Sequence, residues 1–298
     1  MTRRGAGLPD LNTVAELVRL PAVLTVPGDV LLGAAASGWP GGGARAVGVS
    51  LGSSLQYLAG MALNDYADRE TDAAERPGRP LPSGRVQPGF ALGLGALLSA
   101  AGIAAAVLAG GPSARRRALA LAGTVWAYDL ALKGTPVGPP AMATARFLNV
   151  LSGAGTRARP ALPAAAIVGA HTLAVTLVSL GEARGGSRWP GRGALAGAAA
   201  VSAAAGSLAA RRSRTTPVRR AAAAGLLAAY ASSIAGVASQ ATREPTPANV
   251  QRVVGAGILG LLPLQAALLV ASDGAEAAVA VASAWPVARR LSRRKSVT

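Results

Sequence analysis

Asn64-Asp65-Tyr66-Ala67-Asp68-Arg69-Glu70-Thr71-Asp72 decides how this chain reads. Glu75-Arg76-Pro77-Gly78-Arg79-Pro80-Leu81-Pro82-Ser83-Gly84 follows at once. The surroundings are Ala, Gly, Leu and Val, so this cluster of acidic residues stands out at the end of an apolar run. If the helix before it continues through the run at ~100° per residue, Asn64, Asp68, Asp72 and Asp65 share about a quarter of the helix surface. Like charges that close repel. A divalent cation relieves the repulsion. Mg2+ takes hard oxygen ligands, often one or two carboxylates completed by phosphate oxygens and water. Arg76 and Arg79 lie just beyond, and guanidinium forks match phosphate oxygens. The Pro and Gly residues of 77–84 would stop the helix and fold the loop over the site. A solvated acidic loop balanced by arginines is the other reading, and spacing alone leaves both open.

The rest of the chain says where such a site would sit. Of 298 residues, 51% are hydrophobic and 14% charged, against roughly 25% charged in an ordinary soluble domain. Mean hydropathy is +0.38. Apolar runs of about 20 residues, the length that crosses a bilayer core as a helix, recur along the sequence. The fold class is therefore all-α, a polytopic membrane helix bundle. Cysteine is absent and His171 is the single histidine, which excludes disulfides, Cys-ligated metals and a histidine metal cluster. The net charge of +17 is read as membrane anchoring against lipid headgroups and not as nucleic-acid binding, because base-stacking aromatics are scarce. The chain is expected to be a multi-pass cell-membrane protein, of a bacterial inner membrane.

Nine spans are expected, at 17–38, 46–64, 88–110, 115–133, 139–155, 161–180, 192–210, 218–238 and 250–271. Arg19 is expected to snorkel at the start of the first span. Asp29 lies inside that span and should face the bundle interior, since a charge in lipid is costly. Residues 65–87 form the longest polar loop of the first half. Residues 275–288 are short for a span and are expected to lie at the interface, ahead of a basic tail. The whole chain, 1–298, reads as one domain. Basic residues divide almost evenly between the two sides with nine spans, so loop charge does not fix orientation.

The sequence N-D-x-x-D-x-x-x-D at a span end, followed by E-R-P-x-R-P-L-P-S-G, resembles the first aspartate-rich motif of the UbiA superfamily of intramembrane prenyltransferases. The R-L-P of the first span, the Tyr128-Asp129 segment ending in Leu132-Lys133, and Ala145-Arg146-Phe147-Leu148-Asn149-Val150-Leu151 with Gly153 are similar as well. The resemblance implies about nine helices around a central cavity that binds a prenyl diphosphate through Mg2+, ionises it and joins the allylic carbon to an acceptor. It implies that Asn64, Asp68 and Asp72 hold Mg2+ and diphosphate, with Asp68, Asp72 and Lys133 as the catalytic set, although by its place at a span end alone Lys133 reads as a lysine snorkelling to the interface. Arg76 and Arg79 follow as phosphate contacts. Arg146 and Asn149 share a helix face and are candidates for substrate binding or for hydrogen-bonded helix contacts. His171 is read as a helix–helix contact. The implied partners are the prenyl diphosphate, an aromatic or other lipophilic acceptor, and membrane lipids.

The second motif departs from the family. The loop after the sixth span carries Ser179-Leu180-Gly181-Glu182-Ala183-Arg184 and no aspartate. Glu182 and Arg184 are the substrate-binding candidates there. Either Arg184 replaces part of a second metal's charge, or one metal holds the diphosphate, or catalysis is lost. The S-x-G-E form resembles an EboC-like branch of the superfamily. A non-catalytic protein that binds or moves an isoprenoid-linked lipid or precursor is the rival expectation.

Overall fold

The structure is a computed structural model and describes residues 9–39, 42–181, 186–211 and 216–292. Among these residues all regular structure is helical. The elements are α1 (Leu11–Leu17), a 3-10 turn (Leu20–Thr25), α2 (Val26–Ala36), α3 (Gly42–Glu75), α4 (Pro88–Ala127), a π-helical turn (Tyr128–Leu132), α5 (Gly138–Gly153), α6 (Leu162–Ser179), α7 (Trp189–Arg211), α8 (Pro217–Arg243), α9 (Pro247–Val270) and α10 (Ala275–Ser292). A short 3-10 turn, Arg159–Ala161, precedes α6.

Helix starts follow local chemistry. Thr216 and Thr246 accept backbone hydrogen bonds from Arg219 and Asn249, each followed by a proline at the first helical position. That pairing satisfies an orphan N–H and presets the helical φ. The third span breaks where Gly111 takes φ 64°, ψ −155° ahead of Pro112. Glycine alone adopts that backbone without penalty, and the following proline starts a new helical limb.

Six of the described helices are long and apolar enough to cross a membrane, or seven if α1 and α2, bent by 47°, count as one broken span. Nine is reached only by counting the two limbs of α4 separately and adding α5, which has 16 residues. The expected first span is thus two helices joined by the 3-10 turn at Leu20–Thr25, with Pro27 in the first turn of α2, where its missing N–H costs no hydrogen bond. The expected polar loop at 65–87 is a correction too. Helix α3 carries the acidic run out to Glu75, because Ala67, Arg69, Glu70, Ala73, Ala74 and Glu75 are good helix formers and the first proline is Pro77. Residues 275–288 belong to an 18-residue helix, longer than expected, that packs Ala278, Val281 and Ala288 inward.

Helix α9 is the hub. Its most apolar window is 83% buried, against 22% for α8. Helices α2 and α5 approach closely at Gly33 and Gly153. A Cβ on Gly33 would overlap the Val150 carbonyl oxygen, and one on Gly153 the Val30 carbonyl oxygen. This reciprocal contact brings α5, with Arg146 and Asn149, against Asp29 on α2.

Candidate functional site

A cavity of about 510 Å³ opens between α3, α4, α5, α6 and α9. Its polar end is built by α3. Residues four apart on a helix stack on one face, so Asn64, Asp68 and Asp72 all project into the cavity, joined by Thr71 and Glu75. Arg19, Arg76, Arg79, Lys133 and Arg146 supply cations around them. The deeper wall is apolar, with Leu121, Val125, Val175, Val254 and Ile258.

Each carboxylate of the run meets a cation. Arg79 reaches back from the loop after α3 and donates to Asp72 at 2.6 Å. Lys133 Nζ, just past the π-helical turn, donates to Asp68. Asp65 turns away from the cavity, where it is 4% exposed. It accepts from Arg19 at 2.9 Å and lies 3.6 Å from Arg79. Asn64 accepts from Arg19 at 3.2 Å and donates to Asp129 at 3.4 Å. Arg76 lines the cavity, and among the described residues its guanidinium has no partner. The Asp68–Lys133 pair also borders a second cavity of about 670 Å³, which shares Thr71, Tyr128, Thr176 and Ser179 with the first.

Deeper in the bundle, Asp29 is fully buried and accepts three hydrogen bonds: Arg146 at 2.7 Å, Asn149 at 2.8 Å and Gln265 at 2.6 Å. Arg146 also donates to the Thr25 carbonyl and hydroxyl. A charge inside a span therefore finds its counter-charge, as low dielectric requires. Arg146 and Asn149 line the cavity while tying α5 to α2, so the two readings of that pair coexist. His171 is a buried contact between helices. Its Nε2 lies 3.1 Å from the Gly257 carbonyl, which can only accept, leaving Nδ1 for the Tyr230 hydroxyl at 2.9 Å.

Three placements differ from the sequence reading or were missed by it. Arg19 does not snorkel; it turns inward to α3 and lines the cavity. Gln265, on α9, completes the shell of Asp29, and no local motif marks it. Gln56 lines the cavity and is held by the Ser99 carbonyl at 2.9 Å. Glu182 and Arg184 lie outside the described residues. The part of the facing wall that is described offers only the hydroxyls of Thr176 and Ser179.

A family model for the UbiA prenyltransferase family matches residues 22–237. The chain belongs to that family. The UbiA chain is also similar to digeranylgeranylglyceryl phosphate synthases of archaea. It is 37% identical to the Methanopyrus kandleri protein over 91 residues, covering 28% of this chain and 31% of that one. It is 34% identical to the Halobacterium salinarum protein over 124 residues, covering 41% and 45%. The matched stretches thus span less than half of these relatives' own length. Among solved structures, an apo UbiA homolog from Aeropyrum pernix K1 superposes with a TM-score of 0.59 at 20% identity, covering 84% of this chain and 97% of that one. A digeranylgeranylglyceryl phosphate synthase structure gives 0.57 at 17% identity, covering 88% and 98%. These likenesses establish the UbiA fold.

Among the described residues no group of three or more His, Cys, Asp or Glu side chains converges on one point. Asn64, Asp68 and Asp72 offer one amide and two carboxylates on one face. That set suits a single Mg2+ whose shell is completed by phosphate and water, which is how Mg2+ is usually held.

Proposed function

We propose that this UbiA family member is an intramembrane prenyltransferase that moves a prenyl group from a prenyl diphosphate to a lipophilic acceptor, with Mg2+ at Asn64, Asp68 and Asp72. One observation carries the reading. Three oxygen donors at every fourth residue of α3 face a cavity that is ringed with cations at one end and apolar at the other. A diphosphate joined to a hydrocarbon chain has that same division.

Arg76, Arg79 and Lys133 would meet the diphosphate oxygens and stabilise the charge that grows as the allylic C–O bond breaks. When bound, Mg2+ supplies Lewis-acid neutralisation of the same oxygens. Leu121, Val125, Val175, Val254 and Ile258 exclude water from the allylic carbon until the acceptor attacks. The names of the archaeal relatives make a prenylated glyceryl phosphate one acceptor to try beside aromatic ones.

The test incubates purified protein with radiolabelled prenyl diphosphates of several lengths and a panel of both acceptor classes, with and without Mg2+. The expected result is prenylated product that disappears with EDTA and in Asp68→Ala. An active Asp68→Ala enzyme would overturn the mechanism. Diphosphate binding without product across the panel would favour the non-catalytic lipid carrier. The absence of any aspartate from the sequence after the sixth span, Ser179 to Arg188, supports that rival.

A further inference from the structure

Arg19 sits in an unusual place. Its backbone is left-handed, φ 47° and ψ 51°, between the end of α1 and the 3-10 turn. A residue with a Cβ avoids that region, and such strain persists where surrounding contacts hold it. Here the contacts are identifiable. One guanidinium nitrogen, Nη2, bonds both Asn64 and Asp65. Among the described residues the other two nitrogens of the fork, Nε and Nη1, make no hydrogen bond, and the side chain lines the cavity beside Asn64, Asp68 and Asp72. Asp65 itself does not line the cavity. Its carboxylate lies behind the wall, against Arg19 at 2.9 Å and Arg79 at 3.6 Å.

We propose that Arg19 contacts the diphosphate through the free side of its guanidinium, and that Asp65 is not a metal ligand but the positioning residue that aims Arg19 and Arg79 at it. This assignment rests on the prenyl diphosphate reading above. Its physical basis is division of labour within one motif. An arginine is a planar fork whose orientation matters for bidentate phosphate contact. A carboxylate that grips one edge from behind presents the other edge forward and lowers the ordering cost of binding. The bidentate Arg85–Glu16 pair, at 2.8 and 2.9 Å, fastens α1 to the loop after α3. Both arginines are thereby mounted on segments tied to one another.

Isothermal titration with inorganic pyrophosphate in the presence of Mg2+ reads the site without turnover. Arg19→Gln should weaken pyrophosphate binding about tenfold or more, the usual consequence of losing a charged hydrogen bond. Arg19→Lys should recover part of it. Asp65→Asn should weaken binding by a smaller factor. In the Arg19→Gln background most of that factor should vanish, leaving only the share transmitted through Arg79. In turnover assays Asp65→Asn should raise KM for the prenyl diphosphate more than it lowers kcat. Thermal melting separates folding from positioning, and Arg19→Lys keeps the test open should Asp65→Asn fold poorly. Unchanged pyrophosphate affinity in folded Arg19→Gln overturns the assignment while leaving the prenyltransferase reading intact. Equal and additive losses from Asp65→Asn and Arg19→Gln overturn the positioning role. Absence of pyrophosphate binding in the wild type removes the functional reading and this inference together.

Discussion

Lys133 and Asp68, 65 residues apart in sequence, form a hydrogen-bonded ion pair where the two cavities meet. The two side chains are 30% and 27% exposed. A pair with that much solvent contributes no more than about 1 kcal/mol to stability. Its weight should therefore fall on function. Lys133→Met is expected to leave the melting temperature nearly unchanged while lowering product formation by about a hundredfold, the typical effect of losing one oriented donor to developing charge. A matching fall in melting temperature would make the pair a structural tie instead.

Asp29 has the opposite balance. It is fully buried, and its removal would leave Arg146 without a counter-charge. Asp29→Ala should cost about 3–5 kcal/mol, read as a drop in melting temperature in detergent. Adding Arg146→Met should return part of that loss, since replacing both members of a buried pair is milder than breaking it. A double variant less stable than Asp29→Ala would refute the pairing.

The contact between α2 and α5 makes a packing prediction. Gly33→Ala or Gly153→Ala places a methyl group on a backbone carbonyl oxygen that cannot step aside. Overpacking of this kind costs typically about 1–3 kcal/mol. Gly225 on α8 is the contrast, because a Cβ there meets nothing within 4 Å. Gly225→Ala should be neutral or stabilising by up to about 1 kcal/mol. Equal effects at the three positions would mean that α2 and α5 lie farther apart than described.

One pH effect is local. Asp10 caps α1, and the hydrogen bond from the Thr13 backbone N–H, reinforced by the Thr13 hydroxyl, holds its carboxyl below the ordinary value. A depressed carboxylate contributes its stabilisation above the unfolded pKa of about 3.9 and loses it as pH falls through the folded one. Hydrogen exchange at the Thr13 amide should quicken as pH drops below about 4, after correction for intrinsic rate. Asp10→Asn, which keeps a capping oxygen but cannot titrate, should abolish the pH dependence.

The fold class and the oxygen-donor face of α3 were legible because both depend on periodicity. Asn64, Asp68 and Asp72 share a face at any helix end, whatever surrounds them. Asp65 falls on the same arc by angle, yet a few tens of degrees and two nearby arginines turn it behind the wall. Arc arithmetic cannot see those arginines, because Arg19 arrives from 46 residues away. Asp29 announced itself as a charge in an apolar run. Gln265, 236 residues distant, did not, since a single amide among leucines carries no periodic signal. The break at Gly111 falls in the gap between the expected spans 88–110 and 115–133, whereas the extension of α3 to Glu75 ran against the habit of ending a membrane helix where charge begins.

The π-helical turn at Tyr128–Leu132 has a consequence for how the site could be lost. A π turn holds one more residue than an α turn, and it delivers Lys133 to Asp68 from the end of α4. The position of that ammonium is therefore a matter of chain count as much as of residue type. Deleting exposed Leu130 or Ala131 would let the ordinary ladder close and swing Lys133 off the carboxylate with every charge in the motif still present. A one-codon deletion outside the aspartate run should thus impair pyrophosphate binding while leaving every recognisable signature letter intact.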